Sequence, residues 1–123
     1  MKKLLFIPIC IGLLILSSCE SKDPSILKVY VRTTSNVLVD NARVVVIGDQ
    51  QSNPATMDFV DTIYTNSSGF ATLNMDQYFD KYRNGDQNTT GYFDIIVDND
   101  IASGSGKVRC RIHTTSVETV YIQ

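Results

Sequence analysis

Residues 60–75 read VDTIYTNSSGFATLNM. Two short runs, Val60–Thr65 and Phe70–Met75, interleave β-branched and aromatic residues with polar ones, and Asn66-Ser67-Ser68-Gly69 separates them. β-Branched and aromatic side chains favour extended backbone. Asparagine bonds the turn backbone through its own side chain, and glycine takes positive φ without a Cβ clash. The stretch therefore predicts two strands joined by a four-residue connection of hairpin composition, with Gly69 at its corner.

Working outward, the same signals recur. Towards the N-terminus, ARVVVIG (42–48) is a nearly continuous β-branched run, and Asp40-Asn41 before it is a turn signal. Before that, ILKVYVRT (26–33) alternates Leu27, Val29 and Val31 with Lys28, Tyr30 and Arg32. Towards the C-terminus, YFDIIVD (92–98) alternates Phe93, Ile95 and Val97 with Tyr92, Asp94 and Ile96. KVRCRIHT and SVETVYIQ end the chain and join near Thr114-Thr115. Period 2 in the first of these puts Val108, Cys110 and Ile112 on an apolar face and Arg109, Arg111 and His113 on a polar one. SGSGKV (103–108) reads as a glycine-rich connection. Its likeness to a phosphate loop fails because Ile101 stands where the first glycine is needed and Val108 where Ser or Thr is needed. Seven short strands with polar turns predict an all-β sandwich over residues 26–123.

One segment breaks the period. In NMDQYFDKYRNG (74–85), Met75, Tyr78, Phe79 and Tyr82 recur at helical spacing. Asn74 suits an N-cap, Gln77 completes a capping box, and Asn84-Gly85 is a C-terminal stop. A short helix from about 75 to 83 follows, then a polar loop. Its aromatic stripe has two uses. It closes an open end of the sandwich as core, or Tyr78, Phe79 and Tyr82 stay partly exposed and anchor a partner. The basic edge with Arg109, Arg111 and His113, next to Lys107, is a second candidate partner surface.

Two motifs and the strand order carry a family resemblance. Asn41-Ala42-Arg43-Val44-Val45-Val46 and Thr65-Asn66-Ser67-Ser68-Gly69-Phe70-Ala71-Thr72-Leu73, with Phe93-Asp94-Ile95-Ile96-Val97 later, resemble the carboxypeptidase regulatory-like, or transthyretin-like, domains of bacterial envelope proteins. Asn66 stands where that family usually has Asp, and the helical segment is not a standard part of it. The resemblance implies a seven-stranded transthyretin-like or Ig-like β-sandwich, here with one short helical insert. It also implies a non-catalytic module attached to a larger envelope assembly, with no shared active site.

The N-terminus resembles a lipoprotein signal. Lys2 and Lys3 precede an apolar run, Leu4 to Leu16, which is shorter than the roughly 20 apolar residues a membrane span needs. Leu16-Ser17-Ser18-Cys19 resembles the lipobox of bacterial lipoproteins, and the acidic residues after it, Glu20 and Asp23 around Lys22, resemble surface-export signals of Bacteroidetes lipoproteins. That resemblance implies removal of residues 1–18, acyl chains on Cys19, and a tether over 19–25. Acyl chains then supply the membrane attachment that the cleaved segment cannot. The expected location is the outer membrane, on its periplasmic face or at the cell surface.

Composition narrows the chemistry. Eleven Lys and Arg against thirteen Asp and Glu give a net charge of −2, and removing Lys2 and Lys3 makes it −4. Such a chain has no electrostatic reason to bind nucleic acid. Cys10 leaves with the signal, Cys19 takes lipid, and Cys110 is left without a disulfide partner in the chain. The single histidine is His113, so no zinc site assembles from the ligand set. No metal or other cofactor is expected. Asp98-Asn99-Asp100 holds closely spaced oxygens of the kind calcium takes, without EF-hand spacing. Asp61-Thr62-Ile63 resembles a short O-glycosylation acceptor motif at Thr62. The expected function is that of a non-catalytic, lipid-anchored accessory or adaptor protein with an envelope protein partner. The alternative is a surface module that binds glycan or peptide.

Overall fold

The structure, a computed structural model, describes residues 22–82 and 89–123. The lipobox, Cys19, the signal segment and the Asn84-Gly85 stop lie outside the described residues. The elements are β1 (Ile26–Thr33), β2 (Arg43–Gly48), β3 (Val60–Tyr64), β4 (Phe70–Asn74), α1 (Asp76–Tyr82), β5 (Thr90–Asp98), β6 (Ser103–Arg111) and β7 (Thr115–Ile122). They form a β-sandwich of a three-stranded sheet, β4-β1-β7, and a four-stranded sheet, β3-β2-β5-β6. The pair β1–β7 is parallel and every other ladder is antiparallel.

Alternation decides which face is inside. Leu27, Val29 and Val31 of β1 are fully buried, as are Val44 and Val46 of β2 and Ile95 and Val97 of β5. Ala42 is also fully buried at the entry to β2, where a larger side chain would push the sheets apart. Phe93, Cys110, Val120 and Ile122 complete the core.

The connection at 66–69 has the expected local geometry and a different role. Asn66 Oδ1 accepts the N–H groups of Ser68 (2.9 Å) and Phe70 (3.3 Å), and Gly69 sits at φ 79°. The runs it joins, however, lie in different sheets: β3 pairs with β2, and β4 pairs with β1. The turn is a corner between layers, not a hairpin.

Two further expectations are corrected. Residues 103–106 belong to β6 and are not a connection. A Cβ on Gly104 would stand 2.2 Å from Tyr121 O, so the glycine is what lets β7 pass close to β6. Ser103 and Gln123 exchange backbone hydrogen bonds at this seam, 3.3 and 3.1 Å. His113 does not extend the polar face of β6, because the strand ends at Arg111 and His113 lies beyond it at φ 61°.

The helix begins one residue after the expected start. Met75 is fully buried, and its carbonyl accepts the first helical N–H, from Phe79 (3.1 Å). Asn74 caps by accepting the Asp76 N–H through Oδ1 (2.8 Å). Gln77 reaches back to the Asn74 carbonyl (3.2 Å) rather than to an N–H, so the capping box is incomplete. The chain is already held at Ser25, before β1. Ser25 N–H donates to Asp76 Oδ1 (2.9 Å), its carbonyl accepts the Met75 N–H (2.7 Å), and its Oγ accepts the His113 N–H (2.7 Å). One end of the sandwich therefore gathers the incoming chain, α1 and the β6–β7 turn. The other end carries the β1–β2, β3–β4 and β5–β6 connections.

Candidate functional site on the outer face of the four-stranded sheet

Strand register assembles this face. One row across the sheet runs Val60, Ile47, Asp94, Lys107; the next runs Thr62, Val45, Ile96, Ser105; the third runs Tyr64, Arg43, Asp98, Ser103. Its middle is apolar. Val60 is 63% exposed, Ile96 45% and Tyr64 58%, with Val45 and Ile47 half-buried between them. With half-buried Val45 and Ile47 of β2 between them, Val60 of β3 and Ile96 of β5 form a patch rather than scattered exposures.

Two ion pairs frame the patch. Arg43 grips Asp98 with both ends of its guanidinium, Nε to Oδ1 at 3.1 Å and Nη2 to Oδ2 at 2.7 Å. This bidentate bond holds the Asp98 carboxyl below its usual range and raises the guanidinium in turn. On the opposite side Lys107 bonds Asp94 and lies 3.9 Å from Asp49, which raises its ammonium pKa. Beyond Arg43 the face opens into a cleft of about 700 Å³ between Asp40, Asn41, Tyr64 and Asp98–Ile101. Ile101 is 89% exposed at its rim.

The cleft does not assemble a cation cage. The Asp98 carboxylate is committed to Arg43, and Asn99 Oδ1 accepts the N–H groups of Ile101 (2.9 Å) and Ala102 (2.8 Å). Among the described residues no group of three or more His, Cys, Asp or Glu side chains could hold a metal ion. What the face offers is an aromatic ring, aliphatic side chains and oriented ion pairs, which suits binding.

The residues expected from sequence fall in several places. Tyr78 and Phe79 are 2% and 1% exposed, so they are core and not partner anchors. Tyr78 meets Phe59, Phe79, Tyr82 and Phe93 with ring centroids 5.0–5.7 Å apart, and its oxygen accepts the Met57 N–H (3.0 Å). Tyr82 is half-buried and donates to Asp58 O (2.8 Å). The stripe closes the end of the sandwich. Arg109 and Arg111 are exposed on β6, on the same outer face as Lys107 and towards the helix end. His113 is separated from them: its Nδ1 bonds Asp23 O (2.8 Å), which ties down the incoming chain. Thr62 is exposed on the edge strand β3, in the middle of the apolar patch. Its N–H bonds Asp61 Oδ1 (2.8 Å), so the carboxylate occupies a donor that the free sheet edge would otherwise present.

The sequence by itself does not mark Val60, Tyr64 and Ile96 as site residues. The signal was an isoleucine in the polar register of β5, shared with Tyr92 and Asp94.

Cys110 is 1% exposed, and burial pushes its thiol up to about 12, against a weaker opposing bond from Ser116. The thiolate is the nucleophile, so at neutral pH this cysteine is inert. Native protein at pH 8 should resist iodoacetamide and label only at the rate of unfolding, and rapid native labelling would contradict its placement. The unfolded chain loses the proton near the ordinary cysteine value, the folded one near 12, so stability falls as pH rises between them.

No protein-family model matches the chain, and no curated protein matches it.

Proposed function

We propose that the protein is a non-catalytic, lipid-anchored envelope module that presents the outer face of its four-stranded sheet to a protein partner. The observation that carries this reading is the exposed patch of Val60, Tyr64 and Ile96, framed by the Arg43–Asp98 and Lys107–Asp94 pairs. An exposed aromatic and aliphatic centre inside a charged rim has the anatomy of a binding interface. The lipobox resemblance at Leu16–Cys19 supports the anchor. The incoming chain enters β1, in the opposite sheet, which leaves the candidate face clear of the tether. The transthyretin-like resemblance of Asn41–Val46 and Thr65–Leu73 supports an accessory role, as part of an assembly for secretion, assembly or nutrient uptake. Thr62 lies on this face, so a glycan there would regulate or block docking.

A second reading, a glycan- or peptide-binding module, is favoured by Tyr64. Its ring lines the cleft beside Asp40, Asn41 and Asp100, a pairing of an aromatic face with carboxylates and an amide.

The test is a triple variant, Val60→Ser, Tyr64→Ser and Ile96→Ser, compared with the wild type after mild detergent extraction. The protein that co-elutes with the wild type should bind the variant at least 30-fold more weakly, the effect of losing about 2 kcal/mol or more from the centre of an interface. Undiminished recovery of that protein by a folded variant removes the face from the account. Recovery of a soluble glycan or peptide in its place selects the second reading.

A further inference from the structure

The outer face of the three-stranded sheet differs in kind from the site described above. On β1 it carries Lys28, Tyr30 and Arg32; β4 adds Phe70, and β7 adds Val117 and Tyr121. Val117 is 53% exposed and Tyr121 52%. On the four-stranded sheet Arg43 and Lys107 are paired with aspartates, and Arg109 and Arg111 stand exposed at one end of β6 without rings beneath them among the described residues. Here neither cation has an ion-pair partner among the described residues. Lys28 Nζ stands 4.2 Å from the Phe70 ring centre and 5.1 Å from that of Tyr30, and the Arg32 guanidinium lies 5.9 Å from Tyr30. No Asp or Glu shares this face in the β4-β1-β7 register. In a chain of net negative charge, that is a segregated cationic and aromatic surface.

The geometry points to an anionic lipid bilayer as the occupant of this face. Charge complementarity supplies the first argument: two cations without a carboxylate partner, Lys28 over rings and Arg32 beside Tyr30 with its Nη1 donating to Asn36 Oδ1 (3.2 Å), attract a negatively charged surface. Composition supplies the second, since tyrosine and phenylalanine beside long cationic side chains are the groups that settle at a headgroup boundary. Docked this way, the domain lies on its side and turns Val60, Tyr64 and Ile96 away from the lipid. The inference does not need the acyl chains, and its test leaves them out.

The protein to use is residues 19–123, the chain left by the expected cleavage, with Cys19→Ser so that no acyl chain is attached. Its partition is measured on vesicles of phosphatidylcholine alone and on an equal mixture with phosphatidylglycerol. The anionic vesicles should bind it about 30-fold more tightly, the combined effect of two cations near a charged surface, and added salt should remove the difference. Lys28→Gln with Arg32→Gln should abolish the preference, and Arg109→Gln with Arg111→Gln should keep it. Lys28 also packs on rings, so a second variant leaves it in place. Thr72→Glu sets a carboxylate at the exposed position paired with Lys28 and should abolish the preference without removing a contact. Equal binding to both vesicles overturns the inference. So does a preference that survives Thr72→Glu or disappears with the Arg109 and Arg111 pair. Binding of poly-glutamate without vesicle binding would assign the face to an acidic polypeptide and overturn it equally.

Discussion

Tyr78→Ala is expected to lower folding stability by about 3–5 kcal/mol, the range for deleting a large buried aromatic side chain. Tyr78 is 2% exposed and sits at the centre of a ring cluster. Its contacts with Phe59 (5.7 Å, 87°), Phe79 (5.2 Å, 85°) and Phe93 (5.2 Å, 82°) are edge-to-face, the favoured arrangement for aromatic pairs. Removing the ring leaves a cavity between α1, β5 and the segment leading to β3. It also leaves the Met57 N–H without its phenolic acceptor at 3.0 Å. Tyr78→Phe separates the two effects, because it keeps the ring and deletes the acceptor, and should cost about 1–3 kcal/mol. Urea denaturation of both variants is the measurement. If Tyr78→Ala unfolds at the wild-type midpoint, α1 is not the closure of this sandwich and its aromatic stripe returns as a candidate surface.

Thr65→Val is expected to cost about 2–4 kcal/mol although it preserves the side chain's shape. Thr65 is 5% exposed, and its hydroxyl makes two hydrogen bonds in opposite senses. Oγ1 accepts the Ala42 N–H (2.8 Å) and donates to Val39 O (2.8 Å). Those backbone groups lie in the segment entering β2, so one side chain ties the end of β3 to the start of its neighbour. Valine would orphan a buried donor and a buried acceptor together, and each orphan costs its full desolvation. Thr65→Ser, which retains the hydroxyl, should recover most of the loss. Equal destabilisation by Ser and Val would show that the methyl group carries the effect and not the hydrogen bonds.

Thr65 also shows what the sequence makes legible and what it leaves out. The strands themselves are plain in the pattern, because a half-buried strand must alternate, and β1 runs over the residues that alternation marks. The turn at Asn66 and Gly69 is equally plain, since its chemistry is local. Where the chain goes after the turn is not local. The same Asn and Gly serve a hairpin or a corner between sheets, and the choice is made by the burial of Leu73 and Ala71 against β1. Gly104 and Gly106 look like a loop for a similar reason. Their missing side chains are explained only by β7 passing beside them. At His113 the period-2 reading ran past the strand, because nothing in the alternation reveals a left-handed residue. The helical stripe was legible as a stripe, but whether it faced core or solvent depended on Phe59 and Phe93, distant in sequence. The candidate face was the least legible feature. Val60, Tyr64 and Ile96 each look like an ordinary exposed apolar residue until register sets them on one face with Val45 and Ile47 between.

The anchored-module reading is tested most directly by the mass of the mature protein's N-terminal peptide, taken from envelope fractions of cells that express the full chain. The reading predicts a chain that has lost residues 1–18 and begins at Cys19, with that residue carrying a diacylglyceryl thioether and an acylated amine. A mature chain with an unmodified Cys19, or one that begins at another residue, would contradict it.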